Sequence, residues 1–330
     1  MSSSLVASVP AQRRAAEEGS VGEPTPLAEG LWCLPLATGT RSPVATPCYL
    51  IAGDDGSVHV VDPGVSATSS EQWRYALASW GIPIERIASV TATHMHPDHL
   101  GGVAALARES GAVVQLAERE VKAMDAAATR ESDDLVDTIR SWGAPDGVLD
   151  DFTYIAARAP RPERPVVDVL LRDGDLLDIP GRTLRVMATP GHTPGHICLD
   201  LPDEGRVVVG DLILPTTFPG IGLGGDADHG ALRDYHRSLD ALDALGDREV
   251  LPGHGYCFSG LSQRVDETRR HHRRRTQEVR RALENGASST WDVAVHLTWT
   301  AGFANLRGFF LFSALQQTAM HIDHVRGGIE

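Results

Sequence analysis

Between Thr91 and Gly102 lies the stretch His94-Met95-His96-Pro97-Asp98-His99, which puts three imidazoles and a carboxylate within six residues. The run before it, Ile87-Ala88-Ser89-Val90, is short and apolar and reads as a buried strand. If the extended geometry persists past Thr93, His94 and His96 project to the same side, because side chains alternate along a strand. Pro97 suits the first turn of a helix, and the small residues from Leu100 to Arg108 continue it. That turn swings Asp98 and His99 toward a second position beside the first. Nitrogen ligands with a carboxylate suit zinc, and they are compatible with iron and manganese.

Further potential ligands end other apolar runs. Met187-Ala188 leads into Thr189-Pro190-Gly191-His192-Thr193-Pro194-Gly195-His196, Val207-Val208-Val209 leads to Asp211, and Val250-Leu251 leads to His254. Loops that follow strands in this way share one edge of the sheet, so His94, His96, Asp98, His99, His192, Asp211 and His254 are expected to gather there. Asp62 also ends an apolar run, Val60-Val61, and its place ahead of the histidine cluster suggests that it orients a ligand or its loop.

The rest of the chain alternates strands and helices. Strands are expected at 31–36, 48–52, 58–61, 112–116, 166–171, 183–188, 197–201, 206–211 and 249–251. Helices are expected at 70–80, 117–142 (as a pair), 231–245, 264–283 and 309–325, with Ser289 and Asp292 spaced as a capping box for one more. Gly143 to Phe152 and Phe218 to Gly230 read as loops rich in Asp, Gly and Pro, placed to line a pocket.

The 330 residues are 42% hydrophobic, enough for one substantial core and a smaller appendage. A formal charge of −14 argues against coating nucleic acid through the overall field. The four cysteines are widely spaced and form no Cys-x-x-Cys pair, so a reduced, cytoplasmic protein is expected. Residues 1–26 contain no apolar stretch of the signal-peptide kind and read as a mobile tail, and no run is long and apolar enough to predict a membrane span. From Arg264 to Arg281 eight arginines meet three acids, a local +5. Without interleaved aromatics this tract reads as a solvated helix rather than a single-strand binding surface.

Taken together, the ordered motifs from Leu31 to Gly255 resemble the metallo-β-lactamase superfamily. The resemblance implies an α/β fold, a four-layered αββα sandwich, with a binuclear metal site between its sheets. It implies one ion, expected to be Zn2+ with Fe or Mn as alternatives, held by His94, His96 and His192. A second is held by Asp98, His99 and His254, and Asp211 bridges the two. A hydroxide shared by the ions would be the nucleophile and Asp98 its orienting group; His196 would support the site from behind. The stretch from Thr189 to His196 is similar to glyoxalase II and its relatives. The region after His254 looks like hydrolases carrying a small winged-helix-like domain, which gives a catalytic domain at 27–258 and a helical, winged-helix-like domain at 259–330. The expected activity is hydrolysis of a small thioester or ester, a small-molecule substrate rather than nucleic acid or membrane. Phosphodiester (RNA) cleavage is the alternative, followed by a mono-iron oxygenase and a metal-binding regulator. Oligomeric state is left open by the sequence.

Overall fold

A computed structural model of the chain describes residues 5–129, 132–156, 163–224 and 230–327. The first sheet is assembled from β2 (Thr25–Ala28), β3 (Leu31–Ala37), β4 (Ala45–Ala52), β5 (Val58–Val61), β6 (Ile87–Thr91), β7 (Val113–Ala117) and β8 (Val169–Leu171), in that spatial order. The turn at 53–56 makes β4 and β5 an antiparallel hairpin, whereas β5 to β8 run parallel because helices cross between them. Those crossovers are α2 (Ser66–Trp80), then the short α3 (Pro97–Leu100) with α4 (Val103–Ser110), then α5 (Glu118–Ala128), α6 (Ser132–Ser141) and α7 (Asp146–Ala156).

The second sheet has the order β1 (Val6–Ala7), β14 (Phe258–Ser259), β13 (Glu249–Pro252), β12 (Arg206–Gly210), β11 (Ile197–Leu201), β10 (Leu184–Ala188) and β9 (Leu176–Leu177). Helix α8 (Ala231–Asp243) crosses between the parallel strands β12 and β13. The last helices are α9 (Leu261–Glu284), α10 (Thr290–Val295) and α11 (Gly308–Arg326).

The period of two decides the layering. In β3 and β4, Leu31, Cys33, Tyr49 and Ile51 face the second sheet, where Leu199, Val208 and Leu251 meet them. The intervening Leu34, Leu36, Cys48 and Leu50 turn outward onto Trp73 and Leu77 of α2 and Val103 and Leu106 of α4. On the far side Cys198, Val207, Val209 and Val250 pack under Leu232, Tyr235 and Leu239 of α8 and Val265 of α9. The result is the expected four-layered αββα sandwich.

Three expectations are corrected. The segment expected as a tail is folded from residue 5 onward: Leu5 is buried, Val6–Ala7 adds an edge strand to β14, and α1 (Pro10–Glu18) brings Gln12 in to accept the Cys257 N–H at 3.1 Å. Its polar composition hid this because one leucine and backbone pairing do the anchoring. The segment expected as a loop at 143–152 is mostly α7, whose Leu149 and Phe152 pack with Leu311 and Leu315 of α11. A winged-helix-like end is not found: among the described residues after β14, 261–327, there are helices and one 3-10 turn but no strand. Of the other expected loop, 218–230, residues 225–229 lie outside the described residues. Ser289 and Asp292 do form the capping box at the start of α10.

Candidate metal centre

Each member of the cluster sits where a strand gives way to a turn. After β6, the Thr93 N–H and hydroxyl donate to the two oxygens of Asp62 at 2.7 and 2.8 Å, which bends the chain so that His94 and His96 converge. His96 precedes α3 with Pro97 as its first helical residue, and this one turn brings Asp98 and His99 round. His192 follows β10, Asp211 follows β12 and His254 follows β13. The two sheets therefore contribute from opposite sides of one cleft.

His94, His96, His192 and Asp211 form one group of converging donor atoms, and Asp98, His99 and His254 form another. In the first, His96 Nδ1 lies 3.0 Å from His94 Nε2 and 3.1 Å from His192 Nε2. In the second, His254 Nε2 lies 3.2 Å from Asp98 Oδ2 and 3.4 Å from His99 Nε2. Asp211 reaches both: its Oδ2 is 3.7 Å from His192 Nε2 and 3.4 Å from His254 Nε2, and its Oδ1 is 3.7 Å from His99 Nε2.

The outer ring nitrogens settle which atoms face inward. His99 Nδ1 donates to Asp62 at 2.9 Å, His192 Nδ1 to the Gly220 carbonyl at 2.7 Å, and His254 Nδ1 to the Ala45 carbonyl at 3.0 Å. With Nδ1 bonded outside, the Nε2 atoms are directed into the cleft, the ring orientation a metal ligand needs.

The donors fit a cation. Burial holds His94 well below the ordinary histidine range and takes His96 down to about 3, so bare nitrogens face one another in the first group. Asp211 Oδ1 is buried with no hydrogen-bond partner among the described residues. A Cβ at Gly253 would meet that oxygen at 2.3 Å and His99 Cε1 at 2.7 Å, so only glycine lets the strand end pass this close. In the second group burial opposes charge on His99 and His254, but Asp98 and Asp211 hold both imidazoles above their ordinary range, with Asp62 adding to the effect on His99. The metal-free chain thus balances its carboxylates with protons that a dication can replace.

His196 stands behind this array. Its Nε2 accepts the Asp211 N–H at 3.2 Å and its Nδ1 meets Thr189 Oγ1 at 2.9 Å, so it holds the Asp211 backbone rather than joining either group. Two neighbours carried no legible signal in the sequence. Phe309, at the start of α11, sets its ring edge-on to His96 with centroids 6.5 Å apart, and it and Phe310 are more than half exposed. Glu120, an ordinary first-turn acid by its position in α5, is buried against the two histidine loops.

The family model of the Metallo-beta-lactamase superfamily matches residues 41–254. The chain belongs to the metallo-β-lactamase superfamily. Within it, the chain is 28% identical over 221 residues to an atrochrysone carboxyl ACP thioesterase of Aspergillus fumigatus, covering 67% of this chain and 55% of that one. It is 28% identical to a hydroxyacylglutathione hydrolase of Pseudomonas putida, covering 67% of each. A metallo-beta-lactamase family protein of Thermus thermophilus superposes with a TM-score of 0.75 at 28% identity, covering 92% of this chain and 95% of that one. The match to the fungal thioesterase spans only about half of that protein's length.

Proposed function

We propose that the protein is a binuclear zinc hydrolase of small acyl thioesters or esters. The observation that carries this is Asp211, within 3.7 Å of inward nitrogens from both donor groups. One carboxylate between two groups suits two ions better than one. His94, His96 and His192 would hold one ion and Asp98, His99 and His254 the other, with Asp211 shared. Divalent cations held by these residues would supply Lewis acidity, enough to bring the pKa of a water toward neutrality and to polarise an acyl carbonyl.

The chain's own residues supply the rest. Asp98 is the more exposed of the two carboxylates, 23% against 9%, which suits it to accept a hydrogen bond from an attacking water and so orient it. Asp62 and the Gly220 and Ala45 carbonyls hold the imidazoles against rotation. Phe309, exposed beside His96 and in contact with the exposed Phe310, puts apolar surface next to the cluster, which favours an acyl chain over a polyanion.

The relatives support the acyl reading, since one is named a thioesterase and the other a hydrolase of hydroxyacylglutathione. The arginine tract supports it too, because several of its charges are used internally. Arg264 lies over the Phe218 ring and donates to the Leu214 and Thr217 carbonyls; Arg275 lies over Trp299 and donates to the Thr298 carbonyl at 2.8 Å. Arg269 is paired with Asp240 and Asp243. Four free, buried thiols agree with a cytoplasmic setting. No helix among the described residues is long and apolar enough to cross a membrane.

The test is a panel of acyl thioesters, aryl esters, lactones and single-stranded RNA offered to zinc-loaded protein. Acyl thioester or ester turnover abolished by chelation is the expected result. RNA cleavage with no acyl hydrolysis would replace the proposal with the phosphodiesterase reading.

A further inference from the structure

Glu120 is not one of the seven clustered residues, yet its carboxylate ties their two loops together. The side chain is 1% exposed. Its Oε1 accepts the Met95 N–H at 2.7 Å and its Oε2 accepts the Gly195 N–H at 2.7 Å. Met95 lies between His94 and His96, after β6 of the first sheet. Gly195 lies between His192 and His196, in the turn joining β10 to β11 of the second sheet. Each oxygen of one carboxylate therefore holds the backbone of one imidazole-bearing turn.

The contact is close on both sides. A Cβ at Gly195 would meet the Glu120 backbone nitrogen at 2.0 Å and the Arg119 carbonyl carbon at 2.5 Å, so that turn rests directly on the start of α5. An acid is a costly residue at such a place, since burial pushes the Glu120 carboxyl up to about 7. A glutamine of the same shape has one acceptor oxygen, and would set an NH2 against one of the two N–H groups. A carboxylate is the side chain that accepts from both.

The geometry points to Glu120 as a positioning residue that sets the separation of the His94–His96 turn from the His192 turn, and with it the affinity of that three-imidazole group for a divalent cation. The inference rests on the two-ion reading above and goes beyond it, because it assigns control of one ion and not the other. The Asp98, His99 and His254 group is oriented by Asp62 and the Ala45 carbonyl, neither of which Glu120 holds.

The experiment uses the full chain in two backgrounds, titrated with Co2+ against a competing chelator and read by visible absorption. His254→Ala keeps the three-imidazole group, and His192→Ala keeps the Asp98, His99 and His254 group. Adding Glu120→Gln is expected to weaken Co2+ binding about 10- to 100-fold in the first background, the usual cost of losing an outer support. In the second background it is expected to stay within about threefold, since the lost support is not shared. Equal weakening in both would mean a general loss of structure, and no weakening in the first would mean the two turns hold without it; either overturns the inference. Glu120→Asp, which keeps the charge but is one methylene short of spanning both turns, is read in the same way if the glutamine variant does not fold. Failure of both to fold makes Glu120 a folding requirement and overturns the positioning role. If the His254→Ala parent with Glu120 intact takes up no Co2+, the metal-site reading itself falls, an outcome distinct from the others.

Discussion

The Asp62 carboxylate accepts the Nδ1–H of His99 at 2.9 Å while its two oxygens also take the N–H and hydroxyl of Thr93. One buried side chain thus fixes both the tautomer of His99 and the bend that brings His94 and His96 together. Asp62 itself sits at φ 57°, a conformation that Asn and Asp tolerate better than other non-glycine residues. Asp62→Asn therefore leaves the backbone unstrained but removes the charge and one acceptor. It is expected to lower metal affinity at the Asp98, His99 and His254 group about 10- to 100-fold with the circular dichroism unchanged. Unchanged affinity by chelator competition would show that His99 needs no such partner.

A second prediction concerns acid. His272 of α9 is fully buried with neither ring nitrogen hydrogen-bonded among the described residues, and it stacks on His321 of α11 at 5.7 Å. Burial lowers its pKa well below the ordinary value, and His321, His271, His236 and Arg275 around it act in the same direction. His321 is lowered likewise, first by burial and then by Arg275. A histidine whose folded pKa lies below its unfolded value contributes fully above about pH 6.5, and that contribution is lost as pH falls below it, at up to about 1.4 kcal/mol per pH unit per group. His272→Phe keeps an aromatic ring and removes the protonation, so its melting temperature should fall less than that of the parent between pH 7 and pH 5. Parallel curves for the two proteins would contradict this.

The arginine tract divides by burial. Arg275 is buried under Trp299, whereas Arg270, Arg273 and Arg274 are exposed. Replacing the exposed three by Gln should leave hydrolysis of the best small acyl substrate within about threefold, since a remote screened charge contributes little. Arg275→Gln should instead cost about 1–3 kcal/mol of stability in urea melts, through its lost stacking and its carbonyl partner at Thr298. A loss of turnover confined to the exposed triple variant would assign those charges to substrate binding.

The ring of Phe309 beside His96 predicts how acyl chain length is read. Phe309→Ala should lower kcat/KM for a long-chain thioester about tenfold, equivalent to about 1.4 kcal/mol of apolar contact, and leave an acetyl thioester nearly unchanged. An equal loss on both substrates would show that the ring supports the His96 loop instead.

How much of this was legible follows from range. The clustered strand-end residues were readable because each sits within a few residues of the end of an apolar run, so the strands that bury Val90 and Val250 also carry His94 and His254 to the same edge. The hairpin at 53–56 and the capping box at Ser289 were readable for the same reason, being complete within a few residues. Glu120 was not, because its partners Met95 and Gly195 are 25 and 75 residues away and nothing local distinguishes it from Glu118, which pairs with Lys122 and Arg172 on the surface. Helix α7 was missed because Gly143, Pro145 and Gly147 suggest a turn, while its apolar face is satisfied by α6 together with the distant α11. The tail was misread since edge pairing by Val6–Ala7 is a backbone property, which leaves almost no trace in side-chain pattern.

The central claim is that two cations share Asp211, and metal stoichiometry in the Asp211→Ala protein tests it most directly. Wild-type protein dialysed against zinc-containing buffer should retain close to two zinc ions per chain by elemental analysis, with thioester or ester hydrolysis following the second ion. Removing the shared carboxylate leaves two dications facing each other without the charge between them, so Asp211→Ala should retain one or fewer and lose activity by about a thousandfold or more. Two retained zinc ions and undiminished turnover in that variant would contradict the account.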